Sequence, residues 1–140
     1  MLLELDDITT YYGLIRILER VNLRVDDGEL VCLLGGSASG KSTTLKTVLG
    51  IVTPRSGTVR LAGEDVTARS VSDRIVRGLA IVPENRRLFG PLSVRENLDL
   101  GAYLRKGDVS EDLDRVHTLF PRLHERRDQL AGTLSGGEQQ

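Results

Sequence analysis

Residues 30–50 read Leu30-Val31-Cys32-Leu33-Leu34-Gly35-Gly36-Ser37-Ala38-Ser39-Gly40-Lys41-Ser42-Thr43-Thr44-Leu45-Lys46-Thr47-Val48-Leu49-Gly50. The run Leu30–Leu34 is short, continuously apolar and followed by glycines, the pattern of a strand buried on both faces. Cys32 lies inside it and is expected to be a packed core thiol. Lys41–Leu49 has helical spacing, with Leu45, Val48 and Leu49 on one side, and Gly50 stands where a helix closes. Between strand and helix, Gly35 to Ser42 has the spacing G-x-x-x-x-G-K-[ST]. Its glycines let the backbone curl until successive N–H groups face one concavity, and the helix behind aims its positive end there. Phosphate oxygens fit such a concavity. Lys41 can reach β- and γ-phosphates as a point charge, and the Ser42 hydroxyl can hold Mg²⁺. An α/β fold follows.

Outward from this loop the pattern alternates. Leu2–Ile8 and Ile17–Val25 read as strands, with Asp26-Asp27-Gly28 as a turn. Thr58–Leu61 reads as a short strand, and Ser72–Arg77 as a short helix closed by Gly78. Leu79–Val82 reads as a second buried strand, ended by Pro83. Ser93-Val94-Arg95-Glu96 is a capping box that predicts a helix from Val94. Leu113, Val116 and Phe120 share one helical face. The character changes from apolar to charged and helical within 90–107, which marks a subdomain boundary.

The chain has 140 residues, with 39% apolar and 28% charged, so it is long and apolar enough for a core and is not of disordered composition. Its formal net charge of −1 gives no reason to expect nucleic acid as a partner. The adjacent pairs Arg86-Arg87 and Arg126-Arg127 read as solvated surface. A single cysteine cannot close an internal disulfide, which fits a reducing compartment. No apolar run approaches the ~18 residues of a membrane span, and the acidic N-terminus has no basic stretch ahead of a long apolar one. Association with a membrane would therefore go through a partner. The chain contains neither D-x-x-G nor N-K-x-D, which excludes a GTP-binding switch, and no G-x-G-x-x-G.

The segment Leu134-Ser135-Gly136-Gly137-Glu138-Gln139-Gln140 resembles the signature loop of ATP-binding-cassette (ABC) ATPases, with Glu138 where glutamine is common. Tyr12, followed by Gly13, sits where that family stacks an aromatic ring on adenine; Tyr11 is the alternative. Pro54-Arg55-Ser56-Gly57-Thr58-Val59 and Ala80-Ile81-Val82-Pro83-Glu84 resemble the family's turn after the P-loop helix and its Q-loop strand. The resemblance covers essentially the whole chain. It implies a P-loop NTPase core with an antiparallel β subdomain over residues 1–94. A helical subdomain would occupy 95–133 and the start of the signature 134–140. The implied ATP-binding set is Tyr12, Gly35, Gly36, Ser37, Ala38, Ser39, Gly40, Lys41, Ser42 and Thr43, with Ser42 and Glu84 toward Mg²⁺. The signature set is Leu134, Ser135, Gly136, Gly137, Glu138 and Gln139, which would meet the γ-phosphate of ATP on an opposite subunit. Implied partners are that second ATPase subunit, identical or not, and transmembrane permease subunits. A periplasmic substrate-binding protein would be an indirect partner. The place would be the cytoplasmic face of the inner membrane.

Three departures carry information. Ala38 stands where the family has glycine, so a positive φ there would cost an estimated ~1 kcal/mol. Ser37 replaces a common asparagine. Glu84 replaces the Q-loop glutamine and adds a negative charge beside the phosphates. Val82-Pro83-Glu84-Asn85-Arg86-Arg87-Leu88-Phe89 with Leu92–Leu98 is similar to the shorter ATPase type of branched-chain amino-acid importers, Asn85 replacing a glycine. The rivals are an importer of another amino acid, amide or urea, a repair or translation ATPase of the same superfamily, and an ATP-binding module without turnover. No apolar strand ending in the Asp-Glu pair of P-loop ATPases is present. His117 and His124 fall in a charged helical stretch, outside the place of the family's switch histidine. The chain is therefore expected to be incomplete, to bind ATP without hydrolysing it, to leave apolar strand edges uncovered, and to lack the helix after the signature.

Overall fold

Leucine and isoleucine on the first strand set the core, and a bulge decides which of them point inward. The computed structural model describes every residue, Met1–Gln140, in two compact units, Met1–Ala80 and Ile81–Gln140. In the first, strands β1 (Leu3–Tyr12), β2 (Ile15–Val25), β3 (Ser56–Leu61) and β4 (Glu64–Asp65) form an antiparallel sheet in the order β2-β1-β3-β4. Strict alternation would put Leu5 and Ile8 on opposite faces. Both are buried because the register shifts between them on both neighbouring strands. Asp7 takes φ +51° at this bulge and Arg20 takes φ +49° on β2. Arg20 Nε donates to Asp7 Oδ1 at 2.8 Å, and the Asp7 N–H donates to Asn22 Oδ1 at 3.0 Å. Gly57 of β3 runs so close to the bulge that a Cβ would lie 2.5 Å from the carbonyl oxygens of Asp6 and Asp7.

Leu5, Ile8, Leu18, Val48, Val59, Leu61 and Val66 make the core of this unit. Val48 comes from helix α1 (Lys41–Leu49), which ends as expected in left-handed Gly50 at φ +79°. Behind α1 sits Arg74 of helix α2 (Val71–Val76), 1% exposed. Its guanidinium donates to the Thr47 and Val48 carbonyls at 2.8 and 2.7 Å, to Thr67 O at 2.9 Å and to Arg69 O at 3.3 Å. Those first two carbonyls belong to the last turn of α1, where Thr47 O otherwise accepts only the Gly50 N–H, at 3.1 Å. Burial pulls the pKa of Arg74 below the usual arginine value, and the charge of Asp65 opposes that shift.

Two expected strands do not form. Leu30–Leu34 and Leu79–Val82 have no ladder, because the four strands of the chain pair only with one another. A buried strand is defined by its neighbours, and an extended run without them stays open to solvent. Leu30 and Leu34 are 89% and 90% exposed, and Cys32 is exposed rather than packed.

The second unit is helical: α3 (Val94–Gly101), α4 (Ser110–Leu119), α5 (Pro121–Glu125), a 3-10 turn (Ala131–Thr133) and α6 (Gly136–Gln139). The capping box of α3 has both its bonds, as expected. The stretch before α3 is stitched to the stretch before α6 by Ala131 N to Leu92 O (2.8 Å), Val94 N to Gln129 O (2.9 Å) and Gly132 N to Gly90 O (3.0 Å). The α4 helix stops at Leu119, since Pro121 disfavours the helical state at Phe120, whose φ and ψ are −131° and 73°. Phe120 is consequently exposed and leaves the face it was expected to share with Leu113 and Val116. The signature residues Gly136–Gln139 themselves form one helical turn, and Gln139 Nε2, donating to Leu134 O at 3.0 Å, helps to fold it back. No helix is long and apolar enough to cross a membrane.

Gly57→Ala is expected to cost about 2–4 kcal/mol, from carbonyl overlap added to a φ of +91°. Gly63→Ala, at φ +83° with nothing near, is expected to cost about 1 kcal/mol. Urea unfolding of the two variants measures the difference.

Candidate functional site

The loop before α1 winds through conformations that only some residues adopt cheaply. Gly35, Ala38 and Gly40 have φ of +153°, +62° and +90°. The positive φ anticipated at position 38 is therefore present, on a residue with a Cβ. A Cβ on Gly35 would meet Ser39 Oγ at 2.7 Å, so that glycine is needed for the close fold of the loop. Lys41 turns its ammonium back into the loop and donates to Gly35 O at 2.8 Å, Gly36 O at 2.7 Å and Ser39 Oγ at 3.2 Å. One positive charge is thus fixed at the rim of the loop.

The N-terminus of α1 has no side-chain cap. The first helical N–H groups are orphan donors, directed along the helix toward the loop. Thr44 and Thr47 spend their hydroxyls on the Gly40 and Thr43 carbonyls at 3.0 and 2.9 Å. Ser42 has no such internal partner and is exposed, so its oxygen is available to a ligand or a metal. Donors, an ammonium and a free hydroxyl together suit an anion carrying several phosphate oxygens. A cage for a metal is a different matter: no group of three or more His, Cys, Asp or Glu side chains comes together. This composition fits Mg²⁺ carried largely by nucleotide phosphates and water, with few protein ligands.

Tyr12, Ile17 and Ala38 to Thr43 line one cleft of about 250 Å³. The two-residue turn Gly13-Leu14 between β1 and β2 brings Tyr12 to the cleft edge, 43% exposed. Tyr11 faces elsewhere, with the Arg55 guanidinium 5.1 Å from its ring centroid. An aromatic face is available at Tyr12 and engaged at Tyr11. Ile17 was missed from the sequence, where its alternation on β2 spoke only for a strand.

Glu84 lies in the second unit, exposed and without an ion pair. There too lies Ser135-Gly136-Gly137, at the start of α6. Glu138 Oε2 accepts from the Ser135 N–H at 3.0 Å and from the Ser135 hydroxyl at 2.6 Å, and Arg126 Nε is 3.5 Å from Glu138 Oε1. The hydrogen bonds from Ser135 hold the Glu138 carboxyl below its ordinary pKa, with lesser help from Arg126 and Arg122. The Arg86 guanidinium lies against Gly136, where a Cβ would approach Nη2 to 2.9 Å. His117 and His124 stack edge to face, 4.7 Å between centroids, away from both loops in sequence and lining a separate surface hollow.

The family model described as ABC transporter matches residues 18–140. The chain belongs to that family. This ABC chain is 44% identical to the high-affinity branched-chain amino acid transport ATP-binding protein BraG of Pseudomonas aeruginosa, over 99% of its own length and 60% of the relative's. It is 37% identical to the probable sulfate/thiosulfate import ATP-binding protein CysA of Chlorella vulgaris, over 97% of its length and 57% of the relative's. A solved ATP-binding subunit of an ABC transporter matches with a TM-score of 0.84 and 31% identity, covering 99% of this chain and 58% of that one. The ABC chain thus spans about three fifths of the relatives it matches.

Ala38→Gly in this ABC chain is expected to relax the loop by roughly 1 kcal/mol or less. Calorimetry should find modestly tighter ATP binding; equal or weaker binding would mean that Ala38 is already comfortable at its φ of +62°.

Proposed function

We propose that the chain is part of the ATP-binding subunit of an ABC importer, gripping Mg-ATP in the cleft between Tyr12 and the Gly35–Thr43 loop. The observation that carries this is the fixed Lys41 ammonium beside an uncapped helix N-terminus, with an available aromatic ring at the same cleft. Lys41 and the N–H groups from Gly40 to Thr43 would take the phosphates. Ser42 would take Mg²⁺ through its hydroxyl, and the Glu84 carboxylate is the candidate second protein ligand. Tyr12 would stack on the base, with Ile17 beneath it. ATP hydrolysis in the whole subunit would drive uptake.

Branched-chain amino acids are the substrate class we favour. The supporting points are the 44% identity to a branched-chain amino acid ATPase and the Glu84-Asn85-Arg86-Arg87 run. A sulfate or thiosulfate importer is the second reading, favoured by two sulfate/thiosulfate import relatives at 37% and 36% identity. Residues 95–133 would form the helical subdomain and 134–140 open the signature that meets ATP on a second, identical or different, ATPase subunit. The remaining partners would be permease subunits and, through them, a periplasmic substrate-binding protein. The subunit would sit peripherally on the cytoplasmic face of the inner membrane. Residues 1–140 by themselves would bind and not turn over ATP, since they contain no apolar strand ending in an Asp-Glu pair to fix Mg²⁺ and activate water.

Lys41→Ala should weaken Mg-ATP binding by about 1–3 kcal/mol by calorimetry; unchanged affinity would refute the assignment of the cleft. Tyr12→Ala should weaken binding while Tyr12→Phe and Tyr11→Ala leave it nearly unchanged, because stacking uses the ring face. Phosphate release should stay at background for residues 1–140 and appear when they are continued into the remainder of the Pseudomonas relative. Turnover by residues 1–140 that vanishes in Lys41→Ala would overturn that part of the proposal. Leucine-dependent stimulation of the reconstituted transporter, against sulfate as control, separates the two substrate readings.

A further inference from the structure

Ser135 has one hydroxyl proton and one backbone N–H, and in this structure the same oxygen of Glu138 takes both, at 2.6 and 3.0 Å. A serine hydroxyl donates once. While the carboxylate holds it, Ser135 offers a second anion no donor. The bond is also a strong one, since an ionised acceptor shortens and strengthens an O–H···O contact. Two arginines favour the ionised form of the carboxylate, Arg126 at 3.5 Å and Arg122 beyond it on α5, while Arg86 lies against Gly136. Arg86 makes no ion pair with any carboxylate of the chain. The same arrangement caps α3, where Ser93 donates to Glu96 at 2.7 Å from N–H and 2.8 Å from the hydroxyl. The pair at Ser93 has no Gly-Gly beside it and no unpaired arginine against it. At Ser135 both are present, on a loop open to approach.

We infer that Glu138 is a positioning residue that sequesters the Ser135 donors, so that pairing of two subunits across ATP must first displace its carboxylate from Ser135. The inference rests on the proposed reading of Leu134–Gln139 as the loop that meets the nucleotide of the opposite subunit. An incoming phosphate oxygen competes with the carboxylate for a single proton and brings a like charge toward it. The loop then opens only when the attraction of Arg86 and the freed Ser135 donors for phosphate exceeds the Ser135–Glu138 bonds. Glutamine in place of Glu138 keeps an acceptor for Ser135 but removes the charge, so it yields the proton more easily. A residue that only capped α6 would behave in the opposite way: weakening the cap would loosen the loop and impair pairing.

The test is ATP-driven dimerisation of the native-length subunit, followed by sedimentation with Mg²⁺ and a non-hydrolysable ATP analogue. Glu138→Gln is expected to lower the nucleotide concentration for half-maximal pairing about three- to tenfold, leaving nucleotide affinity of the monomer unchanged. Glu138→Ala, which removes the acceptor outright, is expected to act in the same direction and serves if the first variant folds poorly. Pairing that is unchanged or weaker in both variants overturns the inference and leaves Glu138 a helix cap. A wild-type subunit that does not pair with nucleotide, or pairing indifferent to Ser135→Ala, overturns the reading of the loop itself and the inference with it.

Discussion

The helix behind the phosphate loop ends on a buried guanidinium. Arg74 collects four main-chain carbonyls, two from the last turn of α1 and two from the segment after β4, and so ties the helix to that segment. A helix C-terminus carries partial negative charge, so a cation there is favourable as well as a donor. Gly50 makes room for it, since a Cβ at that position would lie 2.8 Å from Arg74 Nε. The other end of the same helix is uncapped and faces the loop. One end is fixed by the protein and the other is left for an anion, and the position of the phosphate cleft follows from the fixed end.

The first strand imposes the second condition. Its bulge at Asp7 puts Leu5, Ile8 and Thr10 on one face, although their spacing is three and then two. Downstream of the bulge the phase carries Tyr11 toward Arg55 and Tyr12 to the cleft edge. The choice of the aromatic residue at the cleft depends on the phase of β1, in which two more register shifts, between Ile8 and Thr10 and between Thr10 and Tyr11, follow the bulge held by Asp7, Arg20, Asn22 and the narrow space at Gly57.

Strain and sequestration mark the two loops that approach nucleotide in the proposed reading. Ala38 holds a left-handed conformation that glycine would take at less cost, supported on both sides by Lys41 and its three acceptors. Ser135 is held by a carboxylate of its own turn. Each loop is thus ordered by contacts within a few residues of itself, which is how a short glycine-rich segment keeps a shape without a core beneath it.

Sequence alone determined the features whose causes are local. The spacing from Gly35 to Ser42 gives the loop, the apolar face of Lys41–Leu49 gives its helix to the residue, and Ser93 with Glu96 gives the start of α3, because each rests on bonds between residues at most six apart. Tertiary structure decided whatever needed a distant partner. Leu30–Leu34 and Leu79–Val82 have the composition of buried strands, yet no strand of the chain lies beside them, so Cys32 is exposed. Arg74 reads as one arginine among many until Thr47 and Val48 come within reach, 27 and 26 residues away. Tyr11 and Tyr12 are equivalent as letters and differ only once the register of β1 on its neighbours is fixed. Side-chain patterns report what a residue prefers; hydrogen-bond ladders, buried charges and strand phase depend on which neighbours the folded chain supplies.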